Sequence, residues 1–290
     1  MSTVAEPQQT RPPDISLEPQ VYEPHRVGLP PLGTYLRDLW KRREFAVELA
    51  RTNLRAQHYN TAFGQLWLIL NPVLLGLVYF GLVWIIGRGN KGTDFLAHLM
   101  LGLFAFRLVS TSVGQGARSV VGGGRLILNI PFPRVLLPLA SVMTAFMRFL
   151  PTLIVYAIVH AIAGLPVGFH VLWAIPIIAL LTIFAAGAAM VAATAQVYFR
   201  DVSNFLPYFT RIWLYSSPIL YYAEEVPSRF KPIVAANPLY PMLTSLSDVV
   251  NLGEAPSAAM LAWGAGLAIA AFVIGALFFI SREREFAVRL

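Results

Sequence analysis

The feature that most constrains this chain is an apolar run from Gly64 to Gly87 that contains no charged residue. As an α-helix, a run of this length crosses the roughly 30 Å of hydrocarbon in a bilayer. Similar segments recur, and we predict six membrane-spanning helices at residues 64–87, 95–113, 136–162, 171–197, 205–222 and 258–280. A content of 57% hydrophobic and 13% charged residues is typical of multi-spanning membrane proteins. The expected fold is therefore an all-α membrane bundle.

Two segments precede this six-helix transmembrane domain, which we assign to residues 61–290. Residues 1–33 are polar and Pro-rich without a signal peptide, and are predicted to form a disordered cytoplasmic tail. Residues 34–60 are predicted to form an amphipathic helix. Its apolar face holds Leu36, Leu39, Trp40, Ala46, Val47, Ala50 and Leu54. Such a helix typically lies in the membrane interface, although a surface helix of a soluble domain shows the same pattern.

The distribution of positive charge predicts the orientation of the bundle. Most Lys and Arg residues fall on one side, whereas the other side holds Arg88, Lys91, Arg229 and Lys231. Because basic loops stay in the cytoplasm, both termini are expected to be cytoplasmic in the plasma (inner) membrane. The net charge of +7 thus indicates membrane orientation and membrane lipids as partners, not nucleic acid.

Two loops carry further expectations. In the cytoplasmic loop, Gly114-Gln115-Gly116 and Gly122-Gly123-Gly124 are expected to bend the chain on either side of a short helix. The external loop 223–255 is apolar but Pro-rich and is predicted to hold short re-entrant or interfacial helices. Small residues four apart, which permit close helix packing, occur in two spans: Ala185, Ala189 and Ala193, and Ala262, Gly266 and Ala270.

A search for catalytic chemistry finds none. The chain has no cysteine and no His-Glu-x-x-His pattern, so neither catalytic residues nor metal ligands are predicted. The segment from Gly87 to Thr93 superficially resembles a phosphate loop but lacks the Lys after its second Gly. No Asp or Glu falls inside a predicted span, which disfavours an ion-driven carrier.

Three arginines do fall inside the predicted spans, namely Arg107, Arg148 and Arg211. An intramembrane Arg is costly unless it is paired or hydrated, so each is a candidate for gripping a phosphate. The alternative is that the spans are shifted and these side chains snorkel to the head groups, which is favoured for Arg211. Both interpretations stay open for Arg107 and Arg148.

Aromatic residues suggest contacts with sugar. One arc of the fifth predicted span holds Phe205, Tyr208, Phe209, Trp213 and Tyr215, and the first span holds Trp67 and Tyr79. Aromatic rings can stack on sugar faces, yet aromatic belts also anchor ordinary membrane proteins at their interfaces.

Several short motifs follow one another in a recognisable order from about residue 34 onward. They are Leu54-Arg55, Phe63-Gly64-Gln65-Leu66-Trp67, Leu70-Asn71-Pro72, Asn129, Phe132-Pro133-Arg134, Leu137-Pro138, Arg200-Asp201-Val202, Ser217-Pro218-Ile219 and Asn237-Pro238-Leu239. Together they resemble the permease subunit of ABC-2-type exporters of polysaccharides and O-antigens. The segment from Leu36 to Gly64 is most similar to the actinobacterial permease that exports cell-wall galactan.

The resemblance implies a homodimer joined to two copies of an ATP-binding cassette subunit. This chain would be a transport subunit and not an enzyme; it would bind no cofactor, because ATP and Mg would be held by the partner. The short helix of the 114–134 loop and the interface helix would dock on that partner. The candidate coupling residues are Trp40, Arg43, Arg118, Arg125, Asn129, Phe132, Pro133 and Arg134.

The implied cargo is a polysaccharide linked to polyprenyl pyrophosphate. Arg51, Arg55, Arg107 and Arg148 are the candidates for contacting the pyrophosphate, and the aromatic residues named above would line the glycan path. Three rivals stay open: an ABC-2 exporter of a drug or small lipid, a membrane enzyme acting on lipid-linked sugars, and a scaffold subunit without a path. The enzyme would need carboxylates at the cytoplasmic interface, for which Asp38, Glu44, Glu48 and Asp201 are available.

Overall fold

The computed structural model describes residues 31–56, 63–87 and 91–290. Within these ranges the chain is helical and contains no β-strand. Most of the predicted tail and residues 57–60 of the predicted interface helix lie outside the described residues. The helices are α1 (Leu32–Lys41), α2 (Arg43–Ala56), α3 (Trp67–Ile86), α4 (Thr93–Gly122), α5 (Gly124–Asn129), α6 (Leu136–Ile162), α7 (Ala174–Tyr198), α8 (Val202–Tyr215), α9 (Lys231–Ala235), α10 (Tyr240–Ser247), α11 (Ala258–Arg282) and α12 (Phe286–Arg289).

Five helical segments of the described chain are long and apolar enough to cross a membrane. They are Trp67–Ile86, Thr93–Gly122, Leu136–Ile162, Phe169–Tyr198 and Ala258–Arg289. Helix α3 shows most clearly what surrounds them, because it buries only Pro72 and Gly76 and leaves side chains such as Val78 and Ile85 exposed. A water-soluble surface rarely exposes so many apolar residues, whereas a lipid-facing one does. The prediction of an all-α membrane bundle is confirmed.

The predicted span 205–222 is not a single helix. Helix α8 ends at Tyr215, and at about 1.5 Å per residue its 14 residues are too short to cross the hydrocarbon alone. It ends because Pro218 disfavours helical backbone in the residue before it. The hydroxyls of Ser216 and Ser217 both donate to the carbonyl of Trp213, which satisfies an acceptor at the helix end.

Helix α4 forms the centre of the bundle. It packs against α6, α7 and α8, and Phe95, Phe104 and Leu108 are among its fully buried side chains. Helix α7 in turn packs along α11. There a Cβ built on Gly187 would lie 2.2 Å from the carbonyl oxygen of Ala271, so only glycine permits this approach.

The small residues of α11 that pack against Gly187 of α7 are not the ones predicted from the sequence. A Cβ on Gly275 would lie 2.2 Å from the carbonyl oxygen of Gly187. The predicted row of Ala262, Gly266 and Ala270 is exposed instead, and nothing lies within 4 Å of a Cβ on Gly266.

The predicted bend at Gly114–Gly116 is wrong, because α4 continues without a break to Gly122. A Cβ on Gly116 would come within 2.7 Å of the Cβ of Ala189 on α7. This glycine therefore serves close helix packing, which outweighs its low helix propensity. The bend occurs at Gly123 alone, and the short helix is α5, which begins at Gly124 and so lies beyond the segment between Gly116 and Gly122 where it was predicted.

The external loop contains two short helices, as its Pro-rich sequence suggests. Helix α10 lies among α4, α7 and α11 and buries Pro241, Met242 and Leu246. Its backbone is thus covered by protein, which is the condition for a short helix at membrane depth.

Candidate functional site

Three adjoining cavities follow helix α4. The smallest, of about 60 Å³, is the arginine cavity; it lies between α3, α4 and α6 and is lined by Trp67, Asn71, Arg107, Thr111 and Arg148 among others. It shares Thr111 with a cavity of about 670 Å³ beside α2, which we call the wide cavity. It shares Pro72 and Arg107 with a cavity of about 310 Å³ beside α8, which we call the α8 cavity. A series of neighbouring cavities therefore lies along the central helix.

The arginine cavity holds two positive charges at the midpoints of long helices. Arg107 lies halfway along α4 and Arg148 halfway along α6, so neither is at a helix end from which it could snorkel easily. Nε and Nη2 of Arg148 are buried and make no hydrogen bond with any described residue. The two guanidinium groups are close enough to repel each other. In the described part of the chain neither has a carboxylate partner within ion-pair distance.

This arrangement is costly without a ligand. Insertion scales assign about 2.5–3.5 kcal/mol to an Arg at the centre of a membrane helix, and two adjacent unpaired ones add mutual repulsion. An anion between them would supply the missing acceptors through charge-assisted hydrogen bonds. Phosphate and diphosphate groups have the oxygen geometry that guanidinium recognises. The arrangement is therefore suited to binding an anion.

Each of the other two cavities carries its own arginine. Arg118 borders the wide cavity on α4, and Arg211 borders the α8 cavity on α8. Arg118, predicted as a coupling residue, therefore belongs to a helix that lines the series of cavities. The sequence pattern could not separate these roles because it predicted a helix break on either side of Arg118, whereas α4 continues through Arg118 to Gly122.

The other two predicted pyrophosphate ligands do not line the arginine cavity. Arg51 is exposed on α2 and pairs with Glu48 at 2.7 Å. Arg55 is exposed one turn later, close to the end of α2. Residues of α2 that do face a cavity are Leu49, Asn53 and Ala56, which line the wide cavity.

The predicted aromatic residues fall into three groups. Trp67 lines the arginine cavity and Tyr79 the α8 cavity. The exposed surface of α8 carries Phe205, Tyr208, Phe209 and Tyr215. Trp213 points inward instead: its Nε1 donates to Oδ1 of Asn237 at 2.8 Å, and its ring packs edge-on against Phe106 at 5.9 Å. Trp213 thus ties α8 to the external loop.

The predicted coupling residues divide into exposed and anchoring positions. Trp40, Arg43, Arg125 and Asn129 are exposed, and the Arg43 guanidinium stacks 4.5 Å from the Trp40 ring. Phe132 packs against Phe45 at 5.1 Å, and Pro133 is buried. The second group fastens the loop after α5 to the bundle.

Arg134 completes this anchor together with two residues that the sequence analysis did not single out. Its Nη1 donates to the carbonyl oxygen of Glu283, whose Oε2 accepts a hydrogen bond of 2.5 Å from Tyr35. Burial beside Glu283 raises the pKa of Tyr35 far above its usual value, so the hydroxyl stays protonated and donates. We call Tyr35, Arg134 and Glu283 the clasp. The sequence pattern does not predict the clasp, because its three residues lie near the two ends and in the middle of the chain.

A model of the ABC-2 type transporter family matches residues 44–250. The chain belongs to this family. It is therefore a multi-pass membrane transport subunit, and permeases of this family generally pair with an ATP-binding cassette subunit.

Similar proteins include permeases of O-antigen export systems. The O-antigen export system permease protein RfbA of Klebsiella pneumoniae is 29% identical over 211 residues, which is 72% of this chain and 81% of that protein. The permease of the same name from Myxococcus xanthus is 27% identical over 255 residues, 87% of this chain and 97% of its own length.

Proposed function

We propose that this chain is the permease subunit of an ATP-driven exporter that moves a polyprenyl-pyrophosphate-linked polysaccharide across the plasma (inner) membrane. The observation that carries the proposal is the arginine cavity, where Arg107 and Arg148 lie at mid-helix without a carboxylate partner in the described chain and two buried nitrogens of Arg148 form no hydrogen bond with a described residue. A diphosphate head group would neutralise them. The similarity to O-antigen export permeases favours a glycan as the rest of the cargo.

The orientation we propose follows the charges at the two ends of the bundle. The end with the clasp carries Arg118, Arg125, Arg134, Arg200, Arg282 and Arg289. The opposite end carries Asp94, Glu224, Glu225, Asp248 and Glu254. Positive charge marks the cytoplasmic face, so both ends of the described chain lie there.

This orientation requires a sixth crossing, which we assign to residues 202–222. Helix α8 starts next to the last turn of α7, and Pro207 and Leu214 border the α8 cavity beside Arg107. The chain then continues without helix to Tyr222, whose ring contacts Phe95 in the first turn of α4. A broken crossing of this kind is tolerated because α4 and the external loop cover its backbone.

The partner surface we propose lies at the basic end. Helix α5 exposes Arg125 and Leu128, and Ile130 and Trp40 are exposed near it. An ATP-binding subunit docked there would move α5, and the clasp would pass that movement to α1 and α11. Helix α1 has no fully buried residue and leaves Leu36 and Trp40 exposed, which fits a position in the membrane interface. A homodimer would give two such surfaces for two ATP-binding subunits.

Export by the purified complex tests the proposal. The chain is co-expressed with its ATP-binding subunit, reconstituted in vesicles, and supplied with a polyprenyl-diphosphate-linked glycan, with lipid-linked galactan as the first substrate. We expect the two subunits to co-purify in equal amounts, and the glycan to cross only with ATP.

The double variant R107Q/R148Q should abolish export while R51Q, at an exposed paired arginine, should leave most of it. Transport without ATP, or equal transport by the double variant and the wild type, would contradict the proposal. If an unrelated lipid crosses and no lipid-linked glycan does, the chain is an exporter of another class.

A further inference from the structure

A polar cavity of about 280 Å³ lies at the acidic end of the bundle, remote from the arginine cavity. It is bordered by the first turns of α4, by Tyr222 and Glu224, and by the end of α10 with the turn that follows it. Its polar lining comprises Asp94, His98, Tyr222, Glu224, Thr244, Ser247, Asp248 and Asn251. Eight of its twelve lining residues thus have polar side chains, although the chain is 57% hydrophobic. We call it the acidic cavity.

A hydrogen-bond network fixes the inner wall of the acidic cavity. Nδ1 of His98 lies 2.8 Å from Oγ of Ser247, which also accepts from Nδ2 of Asn251 at 2.9 Å. Oδ1 of Asn251 accepts from the hydroxyl of Tyr156 at 2.6 Å. His98 and Asn251 are each only 6% exposed. The wall is therefore rigid before any ligand arrives.

Two polar atoms of this wall are left without partners. Nε2 of His98 and Oγ1 of Thr244 are buried and form no hydrogen bond with a described residue. The main chain of Tyr221 lies near the His98 ring without forming such a bond. A buried polar atom without a partner costs about 1–3 kcal/mol, so a built wall that leaves two of them favours a ligand that supplies the partners.

The charges of the acidic cavity select the class of ligand. Asp94, Glu224 and Asp248 all contribute carboxylates, and burial together with Glu224 and Glu254 raises the pKa of Asp248 to about 6. The neighbouring Lys91 is already paired with Glu225 at 2.5 Å. Phosphate and carboxylate ligands would be repelled here, whereas the hydroxyl groups of a neutral molecule would donate to the carboxylates.

A bound metal ion does not explain the site. Among the described residues no group of three or more His, Asp or Glu side chains is arranged so that it could hold a metal. Carboxylates, an amide, an imidazole and a threonine hydroxyl can each form direct hydrogen bonds with the hydroxyl groups of a ligand in this cavity. A neutral sugar unit presents several hydroxyls, each both donor and acceptor, at the spacing of such a cavity.

We infer that the acidic cavity binds one neutral hexose unit, with Asp94, Glu224 and Asp248 accepting hydrogen bonds and Thr244 and His98 completing the contacts. The inference rests on the proposed function for the source of the sugar, which would be the glycan as it leaves the bundle. The arginine cavity and the acidic cavity would then recognise different parts of one cargo. Arg107 and Asp94 are 13 positions apart on α4, about 20 Å along the helix.

Direct sugar binding tests the inference without transport. The full chain with its ATP-binding subunit is placed in lipid nanodiscs, and the methyl glycosides of glucose, galactose and mannose are titrated by saturation-transfer NMR. We expect at least one to bind, in the absence of ATP and in the presence of EDTA. T244V removes only the unpartnered hydroxyl and should weaken binding about 5-fold, the effect of one hydrogen bond of roughly 1 kcal/mol.

The matched control is T182V, which removes the hydroxyl of Thr182 that donates to the carbonyl of Ile178 in α7 and should leave sugar binding unchanged. E224Q at the exposed rim should also weaken binding, and unfolding temperatures verify that each variant is folded. The inference is overturned if none of the three glycosides binds, if binding needs calcium, or if T244V and E224Q bind like the wild type. Export without sugar binding would refute this inference alone, and sugar binding without export would refute the proposed function alone.

Discussion

Replacing Arg148 by methionine should raise the stability of the protein and remove its response to diphosphate. The buried Nε and Nη2 atoms of Arg148 make no hydrogen bond with the described chain. Leaving buried donors without partners costs about 1–3 kcal/mol, and methionine fills a similar volume without that cost. The R148M variant should therefore unfold at a higher temperature than the wild type in the absence of ligand.

The same substitution should weaken anion binding by a predictable amount. A hydrogen bond to a charged group contributes about 1.5–3 kcal/mol, so the loss of one guanidinium corresponds to roughly 10–150-fold in affinity. The assay is thermal unfolding of the purified protein, followed by fluorescence of its six tryptophans, at increasing concentrations of inorganic pyrophosphate. Wild type should gain stability as the anion binds the folded state, and R148M should start higher and gain little.

The control for this experiment is R51Q, because Arg51 is exposed and paired with Glu48. It should change neither the unfolding temperature nor the response to pyrophosphate by much, as expected for an exposed ion pair. If R148M is less stable than the wild type, or responds to pyrophosphate as the wild type does, the two guanidinium groups do not form an anion site.

Three further predictions follow from packing and charge. G275A should destabilise the protein by about 1–3 kcal/mol, because its Cβ would lie 2.2 Å from a backbone oxygen; the control G266A, with nothing within 4 Å, should be neutral in the same unfolding assay. Y35F should cost about 1–3 kcal/mol by leaving the buried carboxylate of Glu283 without its donor, and E283Q in the same chain should restore part of it. The pKa of Asp248 rises from 3.8 to about 6 on folding. The folded state therefore holds the proton of Asp248 more tightly than the unfolded chain, and this stabilises the protein fully below pH 3.8. The stabilisation is lost as the pH rises through about 6. The unfolding temperature should fall over that interval in the wild type and less in D248N.

The sequence was a good guide wherever hydrophobicity alone decides the structure. The runs that became α3, α4, α6, α7 and α11 are long, apolar and bounded by polar loops. Arg107 and Arg148 could be singled out for the complementary reason, since a charge within such a run is costly and rare. Their closeness in space could not be predicted, because they lie on different helices.

The sequence misled where local propensity and tertiary packing disagree. Gly114 and Gly116 suggested a helix break, but Ala189 packs closely against Gly116, and this contact stabilises a continuous helix. The apolar content of residues 205–222 suggested one continuous helix, yet Pro218 and the serines before it end the helix early. The clasp could not be predicted from the sequence, because Tyr35 and Glu283 are separated by 248 positions and meet only in the folded chain.

The two cavities on α4 together suggest why export would need ATP. An anion held by Arg107 and Arg148 would supply acceptors that the described chain does not, so its departure would leave the buried nitrogens of Arg148 without partners among apolar helices. The carboxylates of the acidic cavity would meanwhile repel the same anion at the far end of α4. A diphosphate therefore faces an electrostatic cost both on leaving the first cavity and on approaching the second, whereas neutral sugar faces neither. The lipid-linked diphosphate is therefore a part of the cargo on which the energy of ATP hydrolysis would have to act.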